Sequence, residues 1–385
     1  MKIAYVGDFI NHGKSLQTTG TPVVILLSLL EEVELIDVFC PEENEKVENF
    51  ELPQKVKLHE FYRYDDSVSI LRLLKIRWDN YDAVIFNMLP TGFGNRTLPN
   101  AFALIVPIAL KIINRQSHVK VIYHNSIFTN DIRTLGYDSA LDKIRSFFLG
   151  IVERTLFKNV ATFVLLDLYK KRIDESIGKN KVHVLNGRYL EAITTLYLNK
   201  VMDAELVETK KTDIPTILMH GSWGPQKNIE FGLMTMKKLK REGGKFRLII
   251  SGGLNHHFPE YKGKFQELLD SNSDVIDEYL GHVTESDIMK IFLEASLLIL
   301  PYNTPGGHSG VLEQAFFFGL PTIAIDFPEY REQVERISFV RLIYSEDSLK
   351  LIVKEFLESN TIKNIKINVK EKIQQPTNNI KKLLE

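Results

Sequence analysis

The sequence predicts an α/β protein of two doubly wound parallel sheets. Two observations lead there. Short apolar runs alternate with longer amphipathic stretches, as crossover units on a parallel sheet require, and the alternation restarts past the middle of the chain. The length of 385 residues agrees, since it exceeds what one hydrophobic core usually holds.

In the first half, strands are expected at Lys2–Gly7, Val33–Phe39, Ala83–Asn87, Val119–His124, Thr162–Leu166 and His183–Leu185. In the second half they are expected at Thr216–His220, Phe246–Ser251, Val275–Leu280, Leu297–Leu300, Thr322–Ile325 and Val340–Tyr344. Ile229–Leu239, Glu285–Ala295 and Val311–Phe318 carry helical spacing between them. The expected division is a first domain at 1–188, a polar linker at 189–213, a second domain at 214–360 and a terminal extension at 361–385. Six lysines and two glutamates, with Pro376 among them, make that extension surface-like, and its packing is left open. In such sheets ligands gather at the carboxyl ends of the strands.

Composition narrows the function. The chain is 44% hydrophobic and 25% charged, ordinary for a globular protein. Forty-eight Lys+Arg against 49 Asp+Glu leave a net charge of −1, which excludes a protein whose task is to coat nucleic acid. The single cysteine, Cys40, makes neither an intrachain disulfide nor a cysteine metal cluster, so a reducing, cytoplasmic setting is expected. Lys2–Val6 is too short for the apolar core of a signal peptide. Ala101–Ile113 is the longest apolar run, broken by Pro107 and Lys111, and falls short of the about 20 residues a bilayer span needs. Leu141, Ile144, Phe148, Ile151 and Val152 recur at helical spacing, with Lys143, Arg145 and Arg154 between them. A core-facing helix with a solvated back is the favoured reading. A basic amphipathic helix lying on lipid headgroups is the alternative.

Gly7–Ser15 follows a strand and ends in Gly-Lys-Ser, which suggests a P-loop. Five residues separate Gly7 from Gly13 where a P-loop has four, and Thr18–Pro22 is turn material rather than a helix start. A changed ring of N–H groups no longer cradles phosphate in the same way. Neither an NTPase nor a nicotinamide oxidoreductase is expected. Gly13 and Gly20 remain candidates for an approaching anionic ligand or acceptor, and Gly20-Thr21-Pro22 suits the opening of a helix.

The richest segment is Tyr302–Ala315. A strand feeds a glycine-rich loop, Ser309 suits an N-cap, and a short helix runs to Gly319, with Pro321 after it. The open N–H groups of Gly310 and Val311, with the helix dipole behind them, suit a diphosphate. Glu313, one turn inside, suits ribose hydroxyls or simply the dipole; His308 is a loop candidate beside it. A second loop, His220–Asn228, offers Gly221 for close approach and Lys227 as a compact cation for phosphate.

Together these motifs resemble the nucleotide-sugar-dependent glycosyltransferases of the GT-B type, and among them the retaining family four. Asn186-Gly187, Glu153-Arg154, Gly221 to Lys227, Ser251-Gly252-Gly253, Leu280-Gly281-His282-Val283 and Ser309 to Pro321 are similar to family segments, in family order. Tyr123-His124-Asn125 resembles the strand end whose histidine contacts the donor sugar. The resemblance implies two Rossmann-like domains facing a cleft. It also implies retention, independence from metal, and a nucleotide-diphosphate sugar as donor substrate with no cofactor. His124 and Lys227 are the implied catalytic residues. Gly221, Gly253, His282, Val283, His308, Ser309, Gly310, Val311 and Glu313 are implied around the donor, and Asn125 on the acceptor side. A saccharide, lipid-linked or protein-linked acceptor is expected.

Two positions depart from the pattern. Pro305 stands where the family has the first of two glutamates, and Ser222 where it has an arginine. A catalytically silent nucleotide-sugar-binding subunit, or a sugar-nucleotide epimerase of the same architecture, therefore remains as an alternative.

Overall fold

The computed structural model describes residues 1–385 apart from 10–19, 43–50, 89–92, 95–96, 113–117, 125, 130–139, 210–211, 256–257, 305–306, 336 and 360–364. Gly13, Lys14, Asn125, Pro305 and Gly306 lie outside the described residues. The chain divides into two compact units, Met1–Thr194 with Ile373–Glu385, and Thr195–Lys372.

The first unit holds β1 (Lys2–Val6), β2 (Leu35–Pro41), β3 (Val56–Tyr62), β4 (Ala83–Met88), β5 (Val119–Tyr123), β6 (Ala161–Val164) and β7 (Val182–Val184). They form one sheet in the order β3-β2-β1-β4-β5-β6-β7, and every pairing is parallel. Ile3 faces Ile36 on one side and Ala83 on the other. Strands covered on both faces must be apolar throughout, and Ile3, Ala4, Tyr5 and Val6 are all fully buried. The pattern had passed over β3. Its sequence, VKLHEFY, mixes apolar with polar residues and is only part-buried through Lys57–Phe61, instead of forming an apolar run, because it is an edge strand.

The second unit opens with β8 (Leu206–Glu208) and continues with β9 (Thr216–His220), β10 (Arg247–Ser251), β11 (Glu278–Tyr279), β12 (Leu297–Leu300), β13 (Thr322–Ile325) and β14 (Val340–Ile343). Its six-stranded sheet runs β11-β10-β9-β12-β13-β14, again all parallel. Each sheet reverses its crossover direction beside its first strand: between β1 and β4 in one, between β9 and β12 in the other. That is the doubly wound order, and its switch point is where ligands enter.

The stretch expected as a linker, 189–213, carries a helix at Ala192–Leu198 and β8. β8 pairs antiparallel with β15 (Lys366–Asn368), so part of the terminal extension completes the second unit. A helix follows at Val369–Lys381 and accommodates Pro376, and residues 373–385 pack with the first unit. There Asn379 donates to the Asn186 carbonyl.

Helix Ala140–Asn159 corrects one expectation. Its core side carries Glu153, Leu156 and Phe157, all fully buried, but Ile144, Phe148 and Ile151 face solvent. The favoured core-facing reading had assigned those three residues to the wrong side. Helical spacing alone does not say which of two apolar faces meets the sheet.

Candidate functional site

The second unit gathers its chemistry at the carboxyl ends of β9 and β12, adjacent strands at the switch point. β9 ends at His220 and turns through Gly221–Asn228 into helix Ile229–Arg241. Asn228 takes φ +43, a left-handed conformation that asparagine tolerates and that sends the chain into the helix. β12 ends at Leu300, and Tyr302 folds back to donate from its hydroxyl to the His220 carbonyl at 2.9 Å. Gly221 makes room for this contact, since a Cβ there would lie 2.8 Å from that hydroxyl.

Lys227 lies over Tyr302, its Nζ 3.5 Å from the ring centroid. Part of its stem stays accessible. The ammonium itself is withdrawn from water, and that desolvation pushes its pKa down to about 7. Among the described residues it has no carboxylate partner, only the aromatic face. His220 is fully buried, paired through Nδ1 with Ser251 Oγ at 2.7 Å. Burial first, then the Lys227 charge, pushes it down to about 4, so it stays neutral at physiological pH.

β12 also leads through the glycine loop to helix Gly310–Phe317. Ser309 caps it by accepting from the Leu312 N–H at 3.3 Å. The N–H groups of Gly310 and Val311 have no protein acceptor among the described residues, so the positive end of the helix is open. At the other end Lys372 donates to the carbonyls of Phe316 (3.1 Å) and Phe317, and burial pushes its pKa down to about 8. A cation on the carbonyl end complements the dipole from behind.

Glu313 is buried. Its Oε1 accepts from Gln333 Nε2 at 3.0 Å, and His308 Nε2 lies 3.4 Å away without hydrogen-bond alignment. Gln333 Oε1 accepts from the Ser309 N–H at 3.0 Å, so one amide ties the N-cap to the carboxylate. Sequence reasoning missed Gln333, which closes helix Pro328–Gln333 and carries no local motif. Replacing it with Leu leaves the Ser309 N–H and a Glu313 oxygen without that partner. We expect Gln333→Leu to cost about 2 kcal/mol in urea unfolding and to weaken nucleotide binding in the same protein.

Unsatisfied polar atoms cluster on these segments. His220 Nε2, Gln226 Oε1, Thr304 Oγ1, His308 Nε2 and Gln314 Oε1 are buried without a hydrogen bond. Buried polar atoms normally find partners, so these five are the ones with hydrogen-bonding capacity left for water or a ligand.

Gly253 and His282 lie close together: a Cβ on Gly253 would lie 3.7 Å from that of His282. His282 is exposed and Val283 half-buried, beside the Gly281 carbonyl that accepts from the Gly252 N–H at 2.6 Å. Trp223 is fully buried, donates to the Ser251 carbonyl and stacks on Phe265, which makes it a packing residue rather than a ligand platform.

In the first unit, His124 follows β5, with Nε2 2.6 Å from Asn87 Oδ1 at the end of β4. Gly20 opens helix Gly20–Ser28 with no room for a side chain, since its Cβ would fall 2.2 Å from the Asp8 carbonyl. The loop after His124 is held by the buried Glu153, which accepts from Tyr123 Oη (2.7 Å), Ser126 Oγ and the Ile127 N–H (3.2 Å). Burial outweighs those bonds and raises the Glu153 pKa to about 7. Its folded pKa lies above its unfolded value, so the native state holds the extra proton and stability falls as pH rises from about 4.5 to 7. Glu153→Gln removes that decline, on the order of 3 kcal/mol, in urea midpoints measured across the window.

Among the described residues no three His, Cys, Asp or Glu side chains gather as metal ligands would. No curated protein matches the sequence. Residues 203–372 match the family described as glycosyl transferases group 1. That stretch lies within the second unit.

Solved structures extend the likeness over the whole chain. Sucrose-phosphate synthase from Thermosynechococcus elongatus aligns with TM-score 0.66 at 11% identity, covering 100% of this chain and 95% of that one. HepE from Anabaena, solved with UDP-glucose, aligns with TM-score 0.62 at 12% identity, covering 100% and 98%. UDP-GlcNAc 2-epimerase from Methanocaldococcus jannaschii aligns with TM-score 0.53 at 14% identity, covering 97% and 98%. At such identities the likeness shows the fold, which is GT-B: two Rossmann-like units.

Proposed function

We propose that this protein is a glycosyltransferase that moves a sugar from a nucleoside-diphosphate donor to an acceptor hydroxyl, with retention and without a metal ion. One observation carries the reading. An ammonium without a carboxylate partner among the described residues, and a helix N-terminus whose first two N–H groups likewise lack an acceptor there, occupy the carboxyl ends of two adjacent strands. In the reaction the bond from the anomeric carbon to the donor phosphate breaks and a bond to the acceptor oxygen forms. The acceptor proton departs, and negative charge collects on the leaving diphosphate. Lys227 and the N–H groups of Gly310 and Val311 stabilise that charge electrostatically. Glu313, fixed by Gln333, takes the ribose hydroxyls; Gly253, His282 and Val283 border the base. His124, at the carboxyl end of β5, is the catalytic contact to the transferred sugar, and Asn125 is the residue assigned to the acceptor. The single cysteine fits a cytoplasmic setting.

The uridine nucleotide bound to HepE makes UDP-sugars the first donors to try. A thermal-shift panel of nucleoside diphosphates and their sugars identifies the donor. An acceptor screen follows, with the anomeric configuration read by NMR and activity compared with and without chelator. Inversion, or activity lost to chelator, contradicts the corresponding part of the proposal. The epimerase likeness favours a second reading, separated by incubating the donor alone: an epimerase converts it with no acceptor present. Binding without turnover under either condition assigns a silent subunit, consistent with Pro305 and Ser222.

A further inference from the structure

Helix Ala140–Asn159 of the first unit carries a second apolar face that none of the described residues covers. Ile144, Phe147, Phe148 and Ile151 are 55%, 67%, 60% and 51% exposed, and their spacing (i, i+3, i+4, i+7) places them in one stripe. Phe147 and Phe148 are the only phenylalanines among the described residues that stand out in solvent; the others with assigned burial are buried or partly buried. The helix has no need of this stripe for its own packing, because Gly150, Glu153, Leu156 and Phe157 already seat it on the unit. Helix Thr97–Ile112, which packs beside it, leaves a second row in water: Leu98, Ile105 and Ile112, each seven residues from the next. An apolar surface of this size on a folded unit marks an interaction site.

Charge decides the occupant. Among the described side chains, the charged groups these two helices leave at the surface are Lys111, Arg154 and Lys158, all positive. The one described carboxylate on either helix, Glu153, is buried inside. Lys181 joins them, its Nζ donating to the Asn159 carbonyl at the end of the helix; burial first, and then the Lys181 charge, hold the pKa of Lys111 down. A second copy of the chain would bury the aromatic stripe but set positive against positive. An anionic bilayer satisfies both features at once, taking phenylalanines into the acyl boundary and lysines at the headgroups. No helix among the described residues is long and apolar enough to cross a membrane, so the contact is peripheral. We infer that the stripe Ile144–Phe147–Phe148–Ile151, bordered by Arg154, Lys158 and Lys181, docks the first unit on the surface of an anionic lipid bilayer.

Sedimentation with vesicles tests this on the full chain, using phosphatidylcholine alone and phosphatidylcholine mixed with phosphatidylglycerol. The wild type pellets with the anionic vesicles, and salt weakens the association. F147S/F148S lowers partitioning by roughly tenfold or more, since two aromatic side chains no longer leave water. R154E/K158E lowers it on anionic vesicles only. Both pairs are exposed, so the thermal midpoint and nucleotide binding stay at wild-type values and certify the fold. Three outcomes overturn the inference: wild type left in the supernatant with both vesicle types, partitioning unchanged by F147S/F148S, or a dimer in size-exclusion chromatography that these substitutions dissociate while vesicles bind nothing. None of these depends on whether sugar transfer is the reaction.

Discussion

Lys227→Ala lowers affinity for a nucleoside-diphosphate sugar by roughly a hundredfold, the scale for removing one partner of a desolvated charge contact. Turnover falls further, because charge grows on the leaving diphosphate after binding. The unliganded protein loses little stability, since among the described residues Lys227 has only the Tyr302 ring as partner and is desolvated at some cost. The same residue sets a pH dependence. With its pKa pushed down to about 7, Lys227 is largely neutral above neutrality, and an approaching diphosphate raises that pKa. Binding then takes up a proton, and affinity falls by up to about tenfold per pH unit above 7. His220 stays neutral across that window and adds nothing to it. Calorimetry in two buffers of different ionisation enthalpy, with a nucleotide sugar as titrant, reads the proton directly. A slope that persists in Lys227→Ala would assign the proton elsewhere.

Gly252→Ala is expected to have the largest effect on the fold. Gly252 holds φ +99, and an added Cβ would lie 1.9 Å from the Gly221 carbonyl oxygen. That atom is backbone at the end of β9 and has no soft way to yield. Conformational strain of about 1–3 kcal/mol and the clash together put the loss above about 4 kcal/mol. The shift would also carry Gly221 away from Tyr302, and with it the seat of Lys227. Two neighbours calibrate the measurement. Gly263→Ala meets nothing within 4 Å on its helix and leaves the midpoint level or slightly higher. Gly253→Ala meets His282 only at ordinary contact distance, so the fold tolerates it. A loss of nucleotide affinity there, with the midpoint unchanged, places the ligand against that turn.

Much of the site was legible because its chemistry is local. Ser309 followed by a short helix and a terminating glycine is a cap, a dipole and a stop within a dozen residues, and each signal is carried by the residues that perform it. Loop His220–Asn228 was legible for the same reason. Gln333 was not, since its partners Ser309 and Glu313 lie 24 and 20 residues away and nothing in its own segment announces them. β3 escaped because an edge strand is only part-buried and carries no continuous apolar run, and β8 and β15 because a three-residue pairing leaves almost no pattern.

By itself the sequence determined that this chain forms doubly wound sheets and where their strand ends offer glycine, cation and helix start. Periodicity and turn chemistry are properties of neighbouring residues, and neighbours are what a sequence records. Tertiary structure alone decided which face of helix Ala140–Asn159 is wet, that Lys227 rests on an aromatic ring, and that Glu313 and Ser309 share one amide. Burial and charge desolvation are set by what packs around a group from distant parts of the chain.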